Sequence, residues 1–346
     1  MTIKAVSLPE KIISEISEVD DKRIHLYVLM RYAKGAKANK REVPEVDSGD
    51  ETDPVEELDN DIKRSINRTQ ISGDDLRSSL KMTAINSLKS ITKPVPHNYD
   101  PGYKIQTGEW SLINSNEVPS SKEILEKIKL DNDVFNLTKQ YGQSENKEGS
   151  KFQVHGLIIE YAPNIFGFIR LRNGSFLAST KFLLHKIPIK LTDGQVYEMK
   201  KEDLPTLFLP SYIDSLKFGD DLYIFNRRYF EQFFDYVQEL NRKIREGEKT
   251  FNTYVNDFHL LKRKCRTREK IRKLYTGLQN LESGNFDLRK VKKLVERKGG
   301  LTVKFIDGKF DVKKSDIDDL LTILNESYVR GEFTGNEYFS NSKRRA

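Results

Sequence analysis

Residues 226–240 read NRRYFEQFFDYVQEL, and their pattern is the strongest structural signal in the chain. The large apolar residues recur at the three- and four-residue spacing of one helix face. A stripe of this width predicts a helix buried in a core rather than an aromatic ligand-binding box. Its members are Phe230, Phe233, Phe234, Val237, Leu240 and Ile244.

The sequence before this helix predicts an antiparallel sheet. FQVHGLIIEY (152–161) and FGFIRLR (166–172) are rich in β-branched and aromatic residues. Asn173-Gly174, Asp193-Gly194 and Gly219-Asp220 are two-residue hairpin signals between such runs. Three such turns in a short interval favour a central β-meander.

The N-terminal half predicts helices with one strand among them. Apolar periodicity indicates helices over 7–19, 55–66 and 76–91, and SSKEILEKIKL (120–130) has the pattern of a capped helix. In RIHLYVLMRY (23–32), apolar residues occupy every second position, at Ile24, Leu26, Val28 and Met30, which is typical of a strand.

The end of the chain predicts a hairpin followed by a helix. LTVKFIDGKFDV contains Asp307-Gly308, a turn signal between two short apolar runs. Ser315 with Asp318 has the spacing of a capping box that opens the helix DIDDLLTILNES.

These patterns predict an α+β fold: a central antiparallel β-meander with N-terminal helices and a C-terminal helical, basic region. A length of 346 residues favours two domains. We place an N-terminal α+β domain at 1–145, with an acidic flexible loop at about 34–54, and a core of antiparallel sheet plus basic helices at 146–346. The polar stretch GQSENKEGS (142–150) is the predicted boundary.

Composition excludes several classes of protein. No apolar run reaches the roughly 18 residues of a transmembrane helix, and the first residues do not resemble a signal peptide. One cysteine rules out an internal disulfide and fits a reducing cytoplasm. The five histidines are scattered, and no phosphate-binding glycine loop occurs, so we expect no metal and no cofactor.

Charge is unevenly distributed along the chain. The net charge is +7, yet residues 241–300 hold 18 Lys and Arg against 7 Asp and Glu, a net of +11. Residues 42–61 hold ten acids and no base. This asymmetry indicates a basic face for a polyanion, with an acidic segment elsewhere.

Two patterns could support catalysis. Cys265 has cationic neighbours that could lower its pKa, but the sequence shows no base partner, which favours a small apolar residue on a helix. DGQVYEMK offers Asp193, Glu198 and Lys200, the residue types of a metal-dependent nuclease. Asp193 fits the hairpin turn better, so we expect no catalytic residues and keep the nuclease as an alternative.

The basic signal is concentrated in KRKCRTREKIRK (262–273), with eight cations and one acid. In one continuous helix, Lys262, Arg266, Lys270 and Lys273 would share a face, and their repulsion would be relieved by a polyanion. RKVKKLVERK (289–298) is likewise rich in Lys and Arg and could extend the basic surface. An inert basic face and a lipid-facing patch stay as alternatives. The predicted phosphate-contacting residues are Lys262, Arg263, Lys264, Arg266, Arg268, Lys270, Arg272, Lys273, Lys290, Lys292 and Lys293.

DDLYIFNRRYFEQFFDY (220–236) resembles the most characteristic stretch of the KwaB family of the bacterial Kiwa anti-phage system. In that family a strand ending Ile-x-Asn-Lys/Arg runs into a helix beginning Phe-Glu-x-x-Phe, and the matching residues here are Ile224, Asn226, Arg227, Phe230, Glu231 and Phe234. FGFIRLRNGSFLAS (166–179) and GEFTGNEYFSNSKRRA (331–346) are also similar, so the resemblance covers about 150–346.

The resemblance implies a non-enzymatic, sequence-nonspecific DNA-binding effector of phage defence. It also implies a homodimer that acts with a KwaA-like membrane protein to hinder phage DNA replication or transcription. We therefore expect a cytoplasmic protein recruited by its partner to the inner face of the cell membrane. The resemblance carries over no catalytic residues.

Overall fold

The computed structural model describes residues 7–33, 63–71, 74–130, 151–171, 186–192, 195–198, 207–284, 286–297, 302–325, 328–330 and 337–339. The described helices are α1 (Leu8–Glu18), α2 (Asp74–Lys89), α3 (Pro119–Leu130), α4 (Arg227–Phe233), α5 (Tyr236–Glu246), α6 (Glu248–Tyr254), α7 (Phe258–Lys264), α8 (Arg268–Glu282), α9 (Leu288–Arg297) and α10 (Ile317–Leu324). None of these helices is long and apolar enough to span a membrane.

The strands in the same residues form one large sheet and two small hairpin sheets. They are β1 (His25–Ala33), β2 (Lys63–Ile71), β3 (His97–Asn98), β4 (Ser111–Asn114), β5 (Lys151–Ala162), β6 (Ile165–Arg170), β7 (Lys186–Thr192), β8 (Gln195–Glu198), β9 (Leu207–Pro210), β10 (Ser215–Phe218), β11 (Asp221–Ile224), β12 (Phe305–Ile306), β13 (Lys309–Phe310), β14 (Tyr328–Arg330) and β15 (Glu337–Phe339).

The large sheet has eleven strands in the order β3-β4-β11-β10-β6-β5-β1-β2-β8-β7-β9 among the described residues. Its neighbours are antiparallel except for the pairs β3–β4 and β2–β8, which are parallel. The α+β class and the C-terminal helical region are therefore confirmed. The simple antiparallel meander is wrong, because β1 and β2 enter the sheet between β5 and β8. The helix predicted over 55–66 is also wrong from Lys63 onward, where β2 begins.

Strand β1 is buried along five consecutive residues. Consecutive side chains from Leu26 to Met30 are buried, so both faces of the strand are covered. The polar end of Tyr27 is accommodated because its hydroxyl donates to Glu160 Oε2 on β5 at 2.7 Å. The apolar alternation seen in the sequence correctly predicted a strand, but did not show that its second face is buried as well.

The aromatic stretch 226–240 forms two helices. Asn226 caps α4 by accepting from the backbone N of Tyr229 at 3.2 Å, and Asp235, at φ +50°, separates α4 from α5. All six apolar residues predicted for the stripe are buried. The Phe233 and Phe234 rings lie 5.4 and 5.0 Å from the ring of Phe168 on β6. The prediction of a core helix face is confirmed, with a break in the helix that periodicity did not show.

The chain divides into two compact units. The first comprises Met1–Glu42, Leu58–Tyr99 and Ile105–Tyr236, and the second comprises Val43–Glu57, Asp100–Lys104 and Val237–Ala346. The domain boundary predicted at 145/146 does not coincide with this division. Because residues 131–150 lie outside the described residues, that boundary stays a prediction.

Helices α6 to α10 belong to the second unit. The Phe251 and Phe258 rings stack at 5.2 Å between centroids, and the apolar side of α8 predicted from the sequence (Ile271, Leu274, Leu278 and Leu281) is buried. The hairpin at Asp307-Gly308 is confirmed as β12–β13, with positive φ at both turn residues.

The cap predicted for the last described helix is wrong. Asp316 caps α10 by accepting from the backbone N of Asp318 and Asp319, whereas the Ser315 hydroxyl accepts from the backbone N of Lys304.

Two of the three predicted upstream turns also have flanking strands. Gly219-Asp220 joins β10 to β11, and β7 pairs with β8 on either side of Asp193-Gly194, with Thr192 opposite Gln195. Asn173-Gly174 and the acidic loop at 34–54 lie outside the described residues.

Candidate nucleic-acid interface

The basic segment 262–273 is divided between two helices. Asp257 caps α7 by accepting from the backbone N of Leu260 at 2.8 Å, and α7 ends at Lys264. Thr267 is extended, at φ −78° and ψ 153°, and its side chain accepts from the backbone N of Lys270 to begin α8. Threonine is a good N-cap because its oxygen satisfies a backbone N–H that lacks a partner in the first turn. The prediction of one continuous helix with a single cationic face is therefore wrong.

Cys265 lies at this break and is 3% exposed. Burial raises the pKa of its thiol to about 12, and the nearby cations Lys270 and Lys264 only partly offset this increase. The possibility that those cations bring its pKa below the ordinary value is thus wrong, because burial outweighs them. Cys265 is a small buried residue, the interpretation that the sequence favoured.

The predicted phosphate-contacting residues differ widely in exposure. Arg272 is only 2% exposed, so its guanidinium cannot meet a polyanion while α8 keeps this position. A second group of four is partly buried and comprises Lys262, Arg268, Lys270 and Lys273. The exposed group comprises Arg263, Lys264, Arg266, Lys290, Lys292 and Lys293.

Two of the partly buried lysines already have carboxylate partners within the second unit. Lys270 Nζ lies 3.1 Å from Asp318 on α10, and Lys273 Nζ lies 2.6 Å from Glu269, one turn earlier on α8. The sequence showed Glu269 but gave no sign of Asp318, which is 48 residues further along the chain. The repulsion inferred for a bare cationic helix is therefore relieved in part by the protein itself.

The last turn of α7 carries Lys262, Arg263 and Lys264. Cations at this end of a helix are favourable because the last carbonyl groups carry partial negative charge. This stabilisation of the helix end requires no ligand. Because Arg263 and Lys264 are exposed, their charge is also available to a ligand.

The end of α7 also meets a second basic stretch that the sequence reasoning missed. Lys264 Nζ donates to the backbone oxygen of Val312 at 3.2 Å, and the next two residues, Lys313 and Lys314, are exposed. The adjacent lysines were visible in the sequence as a short basic pair after the predicted hairpin. Their proximity to α7 was not, because a contact across 48 residues leaves no periodic signal.

The residues considered for nuclease chemistry are described only in part. Asp193 and Lys200 lie outside the described residues, and Glu198 lies in β8, opposite Ile189 of β7. No group of three or more His, Cys, Asp or Glu side chains in the part of the chain that the structure describes could hold a metal ion.

Fold and surface together define a mixed α+β protein whose C-terminal helical unit presents exposed cations from several elements. Residues 188–334 match the family model KwaB, described as Kiwa protein KwaB-like. No curated protein and no solved structure matches the chain. Residues 188–334 are thus similar to the KwaB family, whose description names a protein of the Kiwa system. The resemblance seen at 220–236 is confirmed.

Proposed function

We propose that this protein is a sequence-nonspecific DNA-binding effector of anti-phage defence. The observation that carries the proposal is the exposure of six cations, on α7, in the break after it and on α9, all inside the region that matches the family. Lysine and arginine bind phosphates of any sequence, and the release of counterions from DNA makes such binding favourable at low salt.

The protein acts in this proposal as a homodimer that a KwaA-like membrane protein recruits to the inner face of the cell membrane. There it hinders replication or transcription of phage DNA by occupying the template. The family match supports a partner within the Kiwa system. Light scattering on the purified protein tests the dimer, and co-purification with the membrane partner tests the complex.

A titration of labelled duplex DNA and of labelled RNA, each at two salt concentrations, tests the central claim. We expect DNA binding that weakens steeply with salt and shows no preference among duplexes of different sequence. Absence of DNA binding at low salt would refute the proposal.

Two controls separate the alternatives. Plasmid incubated with the protein and Mg²⁺ should stay intact, because cleavage would favour the nuclease that uses Asp193, Glu198 and Lys200. Flotation with anionic vesicles should leave the protein unbound, because co-flotation without DNA binding would favour a lipid-facing patch.

A further inference from the structure

The turn between β13 and α10 is held firmly by its own polar groups. The carboxylate of Asp311 accepts from the backbone N of Lys313 at 3.1 Å and from Asn256 Nδ2 at 3.2 Å. Asn256 Oδ1 in turn accepts from the backbone N of Val312 at 3.0 Å. Asp311 is 4% exposed, so its negative charge serves these buried bonds and is not presented to solvent. The turn therefore holds Lys313 and Lys314 at the surface in one backbone conformation.

This turn and the end of α7 lie against each other. Lys264 joins them, because its Nζ donates to the Val312 oxygen at 3.2 Å. Arg263 and Arg266 flank Lys264 in sequence and are exposed, as are Lys313 and Lys314. Within the described residues, none of these five cations forms an ion pair with a carboxylate.

Acidic groups mark one limit of this cationic surface. Asp318 is paired with Lys270 on α8, and Asp316 uses its carboxylate to cap α10. Lys270 and Lys273 of α8 are therefore paired within the unit, whereas Arg263 and Lys264 of α7 and the two lysines of the turn form no ion pair among the described residues. The exposed cations nearest the break at Cys265 are therefore those at the end of α7, Arg266 within the break, and Lys313 and Lys314 of the turn.

We propose that Arg263, Lys264, Arg266, Lys313 and Lys314, the basic platform, form the main contact with the phosphates of a nucleic-acid backbone. This inference rests on the proposed function and assigns the site to two elements that are far apart in sequence. Flexible lysines and arginines without an aromatic or amide group among them favour phosphates over base edges. No member is apolar, whereas an amphipathic helix that lies in a lipid surface also buries an apolar face. The partner is accordingly a nucleic acid rather than a membrane.

The test compares two double variants that change the net charge equally. Lys313→Glu with Lys314→Glu alters the turn, and Lys22→Glu with Arg23→Glu alters an exposed adjacent pair in the first unit. Binding to a fluorescein-labelled duplex is measured by anisotropy across a salt series. For K313E/K314E we expect weaker binding and a salt slope lower by about 1.8 in log–log form, from about 0.9 for each lost phosphate contact. For K22E/R23E we expect the wild-type slope.

Circular dichroism and a melting curve verify that each variant folds. If K313E/K314E does not fold, K313Q/K314Q replaces it with the same expected change in slope. Wild-type slope in a folded turn variant would overturn the platform while leaving DNA binding intact. Equal losses in the two double variants would also overturn it, because net charge alone would then account for the effect. Failure of the wild type to bind DNA would instead overturn the proposed function, and the platform with it.

Discussion

Ion pairing should divide the basic segment 262–273 into cations that bind DNA and cations that stabilise the fold. Arg263 and Arg266 are exposed, whereas Lys270 and Lys273 are paired with carboxylates. Two double variants, R263Q/R266Q and K270Q/K273Q, each remove two positive charges. The first pair removed is exposed and forms no ion pair among the described residues, whereas the second is partly buried and paired.

The expected magnitudes follow from these contacts. R263Q/R266Q should lower the salt slope of DNA binding by about 1.8, because two phosphate contacts are lost. It should lower the free energy of unfolding by at most about 0.3–1 kcal/mol, from the loss of Arg263 at the end of α7. K270Q/K273Q removes a pair between α8 and α10 and a pair within α8. Partly exposed pairs contribute roughly 0.2–1 kcal/mol each, so the free energy of unfolding should fall by about 0.4–2 kcal/mol. The slope should stay at the wild-type value, although affinity at low salt can decrease since two carboxylates lose their partners.

Urea denaturation followed by circular dichroism measures the stability of each variant, and anisotropy across a salt series measures the slope. The reasoning would be refuted if K270Q/K273Q lowered the slope as much as R263Q/R266Q does. It would equally be refuted if both variants kept the wild-type slope and DNA affinity, because the exposed arginines would then lie outside the interface.

Three further predictions concern the fold. Gly156→Ala should destabilise the first unit by about 1–3 kcal/mol in urea denaturation, because the added Cβ would lie 2.4 Å from the Phe233 ring and 2.6 Å from the backbone oxygen of Ile169. Thr267→Ala should lower the free energy of unfolding by about 1 kcal/mol in the same assay, since α8 loses its N-cap. Thr267→Ser should keep most of this stability, because serine also caps a helix. Cys265 should resist a thiol reagent at pH 8 in the folded protein and react once urea unfolds it. Its pKa is raised from 9.0 to about 12 in the folded state, so between these values only the unfolded chain releases the thiol proton. The free energy of unfolding should therefore fall as the pH rises above 9.0. Cys265→Ala should lack this part of the pH dependence.

Local features were predicted well from the sequence. The buried stripe from Phe230 to Leu240, the helix over 76–91 and the hairpin at Asp307-Gly308 all depend on residues within a few positions of one another. Helical spacing and turn chemistry are properties of such short stretches, so a sequence reveals them directly. The break at Thr267 belongs to the same class, since a threonine cap is a local signal, but the density of cations around it concealed it.

The sequence by itself determined the α+β composition, the buried face of the aromatic helices and the concentration of positive charge between 241 and 300. Only the tertiary structure decided the placement of β1 and β2 inside the sheet, the burial of Arg272 and the pairing of Lys270 with Asp318. It also brought Lys264 to the turn that carries Lys313 and Lys314. The physical reason is that periodicity and caps are short-range, whereas strand order and the balance of charges depend on which distant segments the folded chain brings within a few ångströms of each other.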